Sequence, residues 1–264
     1  MSSDLVLTDV DRRGIATVTI NRAEVNNAYN GDMIEGFLSA FGQIAKDPQA
    51  RVVVLRGKGK HFQAGADLKW IMSLKASDWE ANLAVSQATT DAVRGLNEFS
   101  KPTIALIHGG CFGGGVGIAS SCDIVIASED AFFAITEAKW GLMAAPIYPQ
   151  LIARLGVANT RRYSLTCERF NAHKALEIGL VDEVCATGKL DETAAPLIDQ
   201  LLDCPPNALA ESKASILECA GLIVDDARAA DLAEPHARKR LTDEATEGLN
   251  SFIEKRSPSW RPAP

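Results

Sequence analysis

The 264-residue sequence has no run of 18 uninterrupted apolar residues, so no segment of it is built to cross a membrane as a helix. It lacks paired cysteines too. The six cysteines, at 111, 122, 167, 185, 204 and 219, form no C-x-x-C pair and no Cys/His zinc spacing, so neither a redox pair nor a metal site is expected. Several lie among apolar or small residues, as Cys122 does, and read as reduced, small, buried hydrophobes of a cytoplasmic protein. The opening residues Met1-Ser-Ser-Asp-Leu5 are not a basic start followed by an apolar stretch, and no signal peptide is expected. An excess of positive charge is also missing. Lys and Arg number 27 against 34 Asp and Glu, a net charge of −7, which argues against nucleic acid or an anionic membrane as a partner. An anionic ligand would need local positive charge, and Arg22, Lys58, Lys60, His61 and Lys69 lie near the segments singled out below. No Gly-Lys-Ser/Thr follows a glycine loop, so a nucleotide-triphosphate cradle is excluded.

Ordinary apolar (47%) and charged (23%) fractions leave a globular protein large enough for a substantial core. Leu5–Val10 and Ile15–Ile20 alternate around Asp11–Gly14 and read as a β-hairpin. Met33, Ile34, Phe37, Leu38, Phe41 and Ile44 share one helical face, with Asn30 as N-cap. Val52–Leu55 and Thr103–Ile107 suit buried strands, and Ile124–Ala127 and Val181–Val184 suit two more. Asp67 is placed to cap a helix over Leu68–Leu74, and Trp79–Phe99 keeps helical spacing. Asn171 caps another helix, which Gly179 ends. From Leu190 on the strand signal vanishes, which places a composition boundary near 195. The organisation expected is a core over 1–195, a helical region over 196–256 and a frayed tail over 257–264.

The densest feature is a glycine run. Residues 109–117 hold six glycines in nine positions, directly after the Thr103–Ile107 strand. Glycine lets a ligand approach the main chain without a Cβ in the way. Such a run either cradles phosphate at a helix start or aims amides at a developing oxyanion. The dinucleotide reading wants G-x-G-x-x-G in an opening βαβ unit, and this run has the wrong spacing and lies mid-chain. The oxyanion reading wants a second donor loop and an acid/base. Gln63-Ala64-Gly65-Ala66-Asp67 is a second tight small-residue loop entering a helix, and a lone carboxylate, Glu137, follows the strand-like Ala131–Ile135.

On Asn21-Arg22-x-x-x-Asn26-Asn27-Ala28-x-Asn30, Phe62-Gln-Ala-Gly-Ala-Asp-Leu68, Gly113-Gly114-Gly115 with Cys122-Asp123-Ile124, and Leu165-Thr166-x-x-x-Phe170-x-Ala172-x-x-Ala175-x-x-x-Gly179-Leu180-Val181, the chain resembles the crotonase (enoyl-CoA hydratase/isomerase) superfamily along nearly its whole length. The resemblance implies an α/β fold, a spiral of ββα turns forming two nearly perpendicular sheets, with a helical C-terminal region that assembles homotrimers or hexamers. It implies an acyl-CoA substrate and no separate cofactor, coenzyme A being part of the substrate. Carried over by position, the amides of Ala66 and Gly114 match the oxyanion hole for a thioester carbonyl. The carbonyl of Ala64 matches the contact to the adenine amino group, and Ala28, Gly65, Asp67 and Leu68 belong to the segments lining the substrate. Trp70 and Trp140 are expected as walls of the acyl site.

One position departs from the pattern. Two-glutamate hydratases carry a carboxylate three residues after the middle glycine, where this chain has Gly117. Glu137 is left to do the proton transfers alone, as a hydratase or as a Δ3,Δ2-enoyl-CoA isomerase, unless the chain only binds acyl-CoA. The segments around Gly114–Ala119, Thr136–Leu142 and Arg161–Phe170 are similar to hydratases of 3-branched glutaconyl-CoA. Small Ala144 and Ala145 beside Met143 favour the longer branch of isohexenylglutaconyl-CoA, from acyclic terpene catabolism, over 3-methylglutaconyl-CoA, from leucine catabolism. Lys139 and Lys69 are candidates for the distal carboxylate of such a substrate.

Overall fold

The structure is a computed structural model that describes residues 5–262. Residues 1–4, on which the expectation of no signal peptide falls, and residues 263–264 of the expected tail lie outside the described residues. The chain opens with β1 (Val6–Val10) and β2 (Ile15–Ile20), an antiparallel hairpin with Val6 opposite Ile20. The Asp11 carboxylate closes its turn by accepting the amides of Arg13 and Ile15. Next come α1 (Gly31–Lys46), β3 (Val52–Gly57), α2 (Leu68–Ser73) and α3 (Trp79–Asn97). Asn30 and Asp67 cap α1 and α2 as the sequence predicts, each side chain accepting first-turn amides.

The chain continues through β4 (Thr103–Ile107), β5 (Gly110–Phe112), α4 (Gly114–Ser121), β6 (Ile124–Ser128) and β7 (Phe132–Ala134). After it come α5 (Tyr148–Thr166), β8 (Phe170–Asn171), α6 (Ala172–Glu177) and β9 (Glu183–Cys185). Helices α7 (Leu190–Asp203), α8 (Pro206–Cys219), α9 (Asp226–Arg240) and α10 (Asp243–Ile253) complete it. Strand β9 begins two residues later than the apolar run suggests, because the amides of Leu180 and Val181 both close the end of α6 on the Ala175 carbonyl.

Six strands form one sheet in the order β1-β2-β3-β4-β6-β9, parallel except for the hairpin, and β5-β7-β8 form a second. The large sheet is covered on both faces, which is why β3 and β4 read as unbroken apolar runs. Val53, Leu55, Ala105 and Ile107 point into the main core with α1, α3 and α4. Val52, Val54, Ile104, Leu106 and Ile126 point the other way, against Ala194 and Ile198 of α7. This corrects the boundary near 195, which falls inside α7. That helix covers the sheet and belongs to the core, and the break falls at Pro205-Pro206. Beyond it, α9 packs back along α3, and α10 lies against α2 and the 3-10 turn Glu137–Trp140. The expected tail is also partly fixed, since the Ser259 amide donates to Glu247.

All six cysteines are free. Cys111 and Cys122 are buried as expected, whereas Cys204 and Cys219 are exposed at the ends of α7 and α8.

Candidate active site

The two loops that leave the carboxyl ends of β3 and β4 lie side by side, where ligands of open parallel sheets bind. Backbone bonds Phe62 N to His108 O, Gln63 N to Gly110 O and Phe112 N to Gln63 O lace them together. Buried Asn27 fixes the first loop by donating to the carbonyls of Lys58, His61 and Phe62. Within Gln63–Asp67, four of the five amides are engaged. Gln63 N reaches Gly110 O, Ala64 N reaches Asn26 O, Gly65 N reaches Gln63 Oε1 at 2.8 Å, and Asp67 N reaches Tyr29 O. Ala66 pairs with Tyr29 as an isolated parallel bridge carried by its two neighbours, so its own N–H points away from Tyr29 and has no acceptor among the described residues.

The same accounting along the glycine run isolates its donor. Gly110 N donates to His61 Nδ1 and Gly113 N to Ala134 O, while Val116 N and Gly117 N return to Gly113 O. Gly114 and Gly115, in the first turn of α4, have no acceptor among the described residues. Gly115 is buried against Gln63, whose Oε1 a Cβ would meet at 2.6 Å, whereas Gly114 lines a cavity. Ala66 and Gly114 therefore present two unengaged amides from adjacent loops, one of them at a helix N-terminus.

Glu137 opens the 3-10 turn after β7, and its carboxylate rests on the bare backbone of Gly113. A Cβ there would lie 2.7 Å from Oε1, and Gly113 has φ +51°. The residue is half-buried, but its Oε2 is shut off from solvent and has no hydrogen-bond donor among the described residues. Burial pushes the carboxyl up to about 7, offset in part by the backbone of Glu137 and Thr136. A carboxyl held there ionises and reprotonates near neutrality, as a general acid/base must.

Glu137 stands where two cavities meet. The inner one, about 60 Å³, is walled mainly by apolar side chains, among them Met33, Phe37, Val93, Met143, Ala144 and Ile147. The outer one, about 810 Å³, is lined by Ala28, Ala64, Gly65, Ala66, Asp67, Leu68 and Trp140, with Lys69, Lys139 and Arg169 among its charged residues. Tyr29, Glu137 and His236 line both. The Ala64 carbonyl accepts no hydrogen bond among the described residues, which leaves it open to a donor.

Most of the residues singled out in the sequence thus come together, with three corrections. Trp70 lines neither cavity. Capping by Asp67 puts it in the first turn of α2, and its ring packs edge-on against Tyr29, centroids 6.0 Å apart, and beside Gly31. Asp67 borders the outer cavity, but its carboxylate is committed to the cap and to Arg22 at 2.9 Å. Of the five cations noted near the loops, Lys69 alone lines either of these two cavities. Arg22 is paired with Asp67, and His61, lowered by burial and by Lys60, accepts from Gly110 N as a neutral ring. Tyr29, Arg169, His236 and Arg240 were not singled out. Tyr29 adjoins a quoted motif, but His236 and Arg240 sit in a charged stretch of α9 that reads as a solvated face.

The absent second carboxylate is built into the packing. Gly117 is buried, and a Cβ on it would come within 2.2 Å of Ile147 Cγ2. Gly117→Glu is therefore expected to cost about 3 kcal/mol or more in stability, by overpacking and burial of an unpaired carboxylate, without raising the catalytic rate. Thermal unfolding and a rate assay check this together, and a stable, faster variant would contradict it.

Two free amides beside a neutral-range carboxyl, at the junction of a large polar-rimmed cavity and a small apolar one, define a class: proteins that polarise a carbonyl and move a proton next to it. The chain belongs to the enoyl-CoA hydratase/isomerase family, whose profile matches residues 11–263. It is 32% identical over 244 residues to a short-chain-enoyl-CoA hydratase of Clostridium acetobutylicum, covering 92% of each chain. It is 30% identical over 256 residues to a mevalonyl-coenzyme A hydratase of Aspergillus fumigatus, covering 94% of this chain and 92% of that one. A crystal structure of an enoyl-CoA hydratase from Mycobacterium avium superposes with a TM-score of 0.87 at 32% identity, over 98% of this chain and all of the other.

Proposed function

We propose that the protein hydrates a 3-branched enoyl-CoA, with isohexenylglutaconyl-CoA as the favoured substrate and 3-methylglutaconyl-CoA as the runner-up. The observation that carries the reaction is the single carboxyl of Glu137, with an orphaned buried oxygen, beside the free amides of Ala66 and Gly114. The thioester oxygen accepts from those two amides. Ionised Glu137 takes one proton from water as the oxygen bonds to Cβ. The double-bond electrons move toward Cα, and the enolate charge settles on the thioester oxygen. Protonated Glu137 then delivers its proton to Cα, and the carbonyl re-forms. One carboxyl on one face makes the addition syn.

The branch reading rests on the inner cavity. Its walls are mainly apolar, with Met143, Ala144 and Ile147 coming to them from one short segment, so it accepts hydrocarbon. At about 60 Å³ it holds only a few heavy atoms, and unbranched Met33 and Met143 are the side chains that would yield to a six-carbon branch. Ala144→Leu, which narrows this cavity, is expected to lower kcat/KM about tenfold or more on isohexenylglutaconyl-CoA and much less on 3-methylglutaconyl-CoA. An equal loss on both would place the branch elsewhere. The test of the function itself is to supply both thioesters side by side and follow water addition. Double-bond migration without hydration would leave an isomerase, a reaction for which one carboxyl also suffices. Tight CoA-thioester binding with no turnover of either would leave a binding protein.

A further inference from the structure

Arg240 is buried, only 4% exposed, yet it has no carboxylate within ion-pair distance among the described residues. Its five N–H donors meet two good acceptors, the Asn82 carbonyl at 2.7 Å and the Ser86 hydroxyl at 2.9 Å, both through Nη2. Nη1 has a 3.4 Å contact to His236 Nδ1, and buried Nε has no partner. Three other cations with largely covered side chains find anions. Arg22 has Asp67, Arg154 has Asp182 and Lys213 has Asp123. An unpaired buried guanidinium is costly unless something on occasion neutralises it.

The surroundings of Arg240 are arranged for an anion. Its side chain lines the outer cavity together with His236, Tyr29 and Glu137. Since Arg240 Nη1 can only donate, His236 Nδ1 accepts from it and from the Ser86 hydroxyl, and the ring proton belongs on Nε2. Burial and the nearby guanidinium hold His236 down to about 3, so it stays a neutral donor at working pH. Neither His236 Nε2 nor the Tyr29 hydroxyl has a partner among the described residues, and both residues line the junction of the two cavities. Tyr29 lies close enough to feel both Glu137 and Arg240, and all three line the outer cavity.

We propose that Arg240, with His236 and Tyr29, binds the distal carboxylate of the acyl group, and so selects acyl-CoA substrates that end in an acid. Lys139 and Lys69, the candidates raised by the sequence, line the outer cavity as surface lysines, whereas this guanidinium is already desolvated in the wall of that cavity. The proposal rests on the hydratase reading for its chemistry but not for its test. A 3-branched glutaconyl group has two unlike arms at Cβ. The apolar arm has the inner cavity, and the acidic arm has Arg240.

The test uses two saturated, non-reacting thioesters, glutaryl-CoA and butyryl-CoA, and reads the ratio of their affinities by calorimetry. Wild type is expected to favour glutaryl-CoA by about tenfold or more, the size of a charge-assisted hydrogen bond. Arg240→Gln should bring the ratio near one, and Arg240→Lys should retain part of it. Tyr29→Phe, which keeps the ring over Gly114 and serves if Arg240→Gln does not fold, should lower it severalfold. A ratio near one in wild type, or one that these variants leave unchanged, overturns the site. If the ratio behaves as expected but no glutaconyl thioester is hydrated, the anion site stands and the proposed reaction falls. If glutaconyl thioesters are hydrated while the ratio ignores Arg240, the reaction stands and the site falls.

Discussion

Glu137→Gln is expected to lower kcat by about 10³-fold or more while leaving the affinity for a CoA thioester within a few-fold of wild type. A positioned acid/base contributes roughly 10²–10⁴ in rate, and here a single carboxyl serves both proton transfers, so no second group compensates. Gln fills the same space on Gly113 but can neither take a proton from water nor give one to Cα. The amides of Ala66 and Gly114 are untouched, which is why binding should persist. Single-turnover hydration alongside a thioester-binding titration separates the two. Retained turnover would show that the proton passes through another group. Because the carboxyl sits near 7 in the free protein, kcat/KM of wild type should fall tenfold per pH unit below about pH 7, where Glu137 becomes protonated and cannot act as base.

The same carboxyl leaves a mark on stability. Its folded-state value, about 7, exceeds the ordinary 4.5, so between those limits the folded protein holds a proton that the unfolded chain has lost. Stability contributed by neutral Glu137 is complete below about pH 4.5 and is lost as the pH rises toward 7. The ionised form costs about 3 kcal/mol. Glu137→Gln should therefore be more stable than wild type at pH 8 by up to that amount, with the gap closing by pH 4. Chemical denaturation at the two pH values measures it. An inactive variant that is also the more stable one is what a group held out of water for reactivity predicts.

How much of this was legible in the sequence depends on whether the signal is local. The caps Asn30, Asp67 and Asn171, the hairpin turn at Asp11 and the helix stop at Gly179 are settled within a few residues, and each stands where the pattern put it. Glu137 after β7 and the two donor loops were readable for the same reason. Strand β5 was not, because Gly110–Phe112 has little intrinsic strand preference and is held by pairing to β7 and to the Gln63 loop. Helix α5 was missed because Gly156, at φ +67°, breaks its periodicity midway. The deepest omission was Arg240. Its neighbours Arg238 and Lys239 are surface charges, and only the packing of α9 on α3, 158 residues away at Asn82, turns this one arginine inward.

Gly113→Ala is expected to lower kcat by about 10²-fold with the smaller loss of thermal stability, and Gly117→Ala to do the reverse. The two glycines stand four positions apart in one run, and what each touches decides its effect. A Cβ on Gly113 would sit 2.7 Å from Glu137 Oε1, and the carboxylate, at the end of a side chain with a cavity beside it, can move aside. A displacement of about 1 Å is enough to cost roughly 10²-fold when the group must meet both water and Cα. The backbone of Gly113, φ +51° and ψ −119°, lies outside the left-handed helical region and costs an alanine about 1–3 kcal/mol of strain, so this variant loses some stability as well as activity. A Cβ on Gly117 would come within 2.2 Å of Ile147 Cγ2, where neighbours are packed on every side and α4 must shift to admit it. Melting temperature and kcat measured on both variants give a crossed pattern if Gly113 is kept bare for the carboxylate and Gly117 for the core. Equal losses of activity without loss of stability would mean that both glycines serve the ligand, and the glycine run would then need a different account.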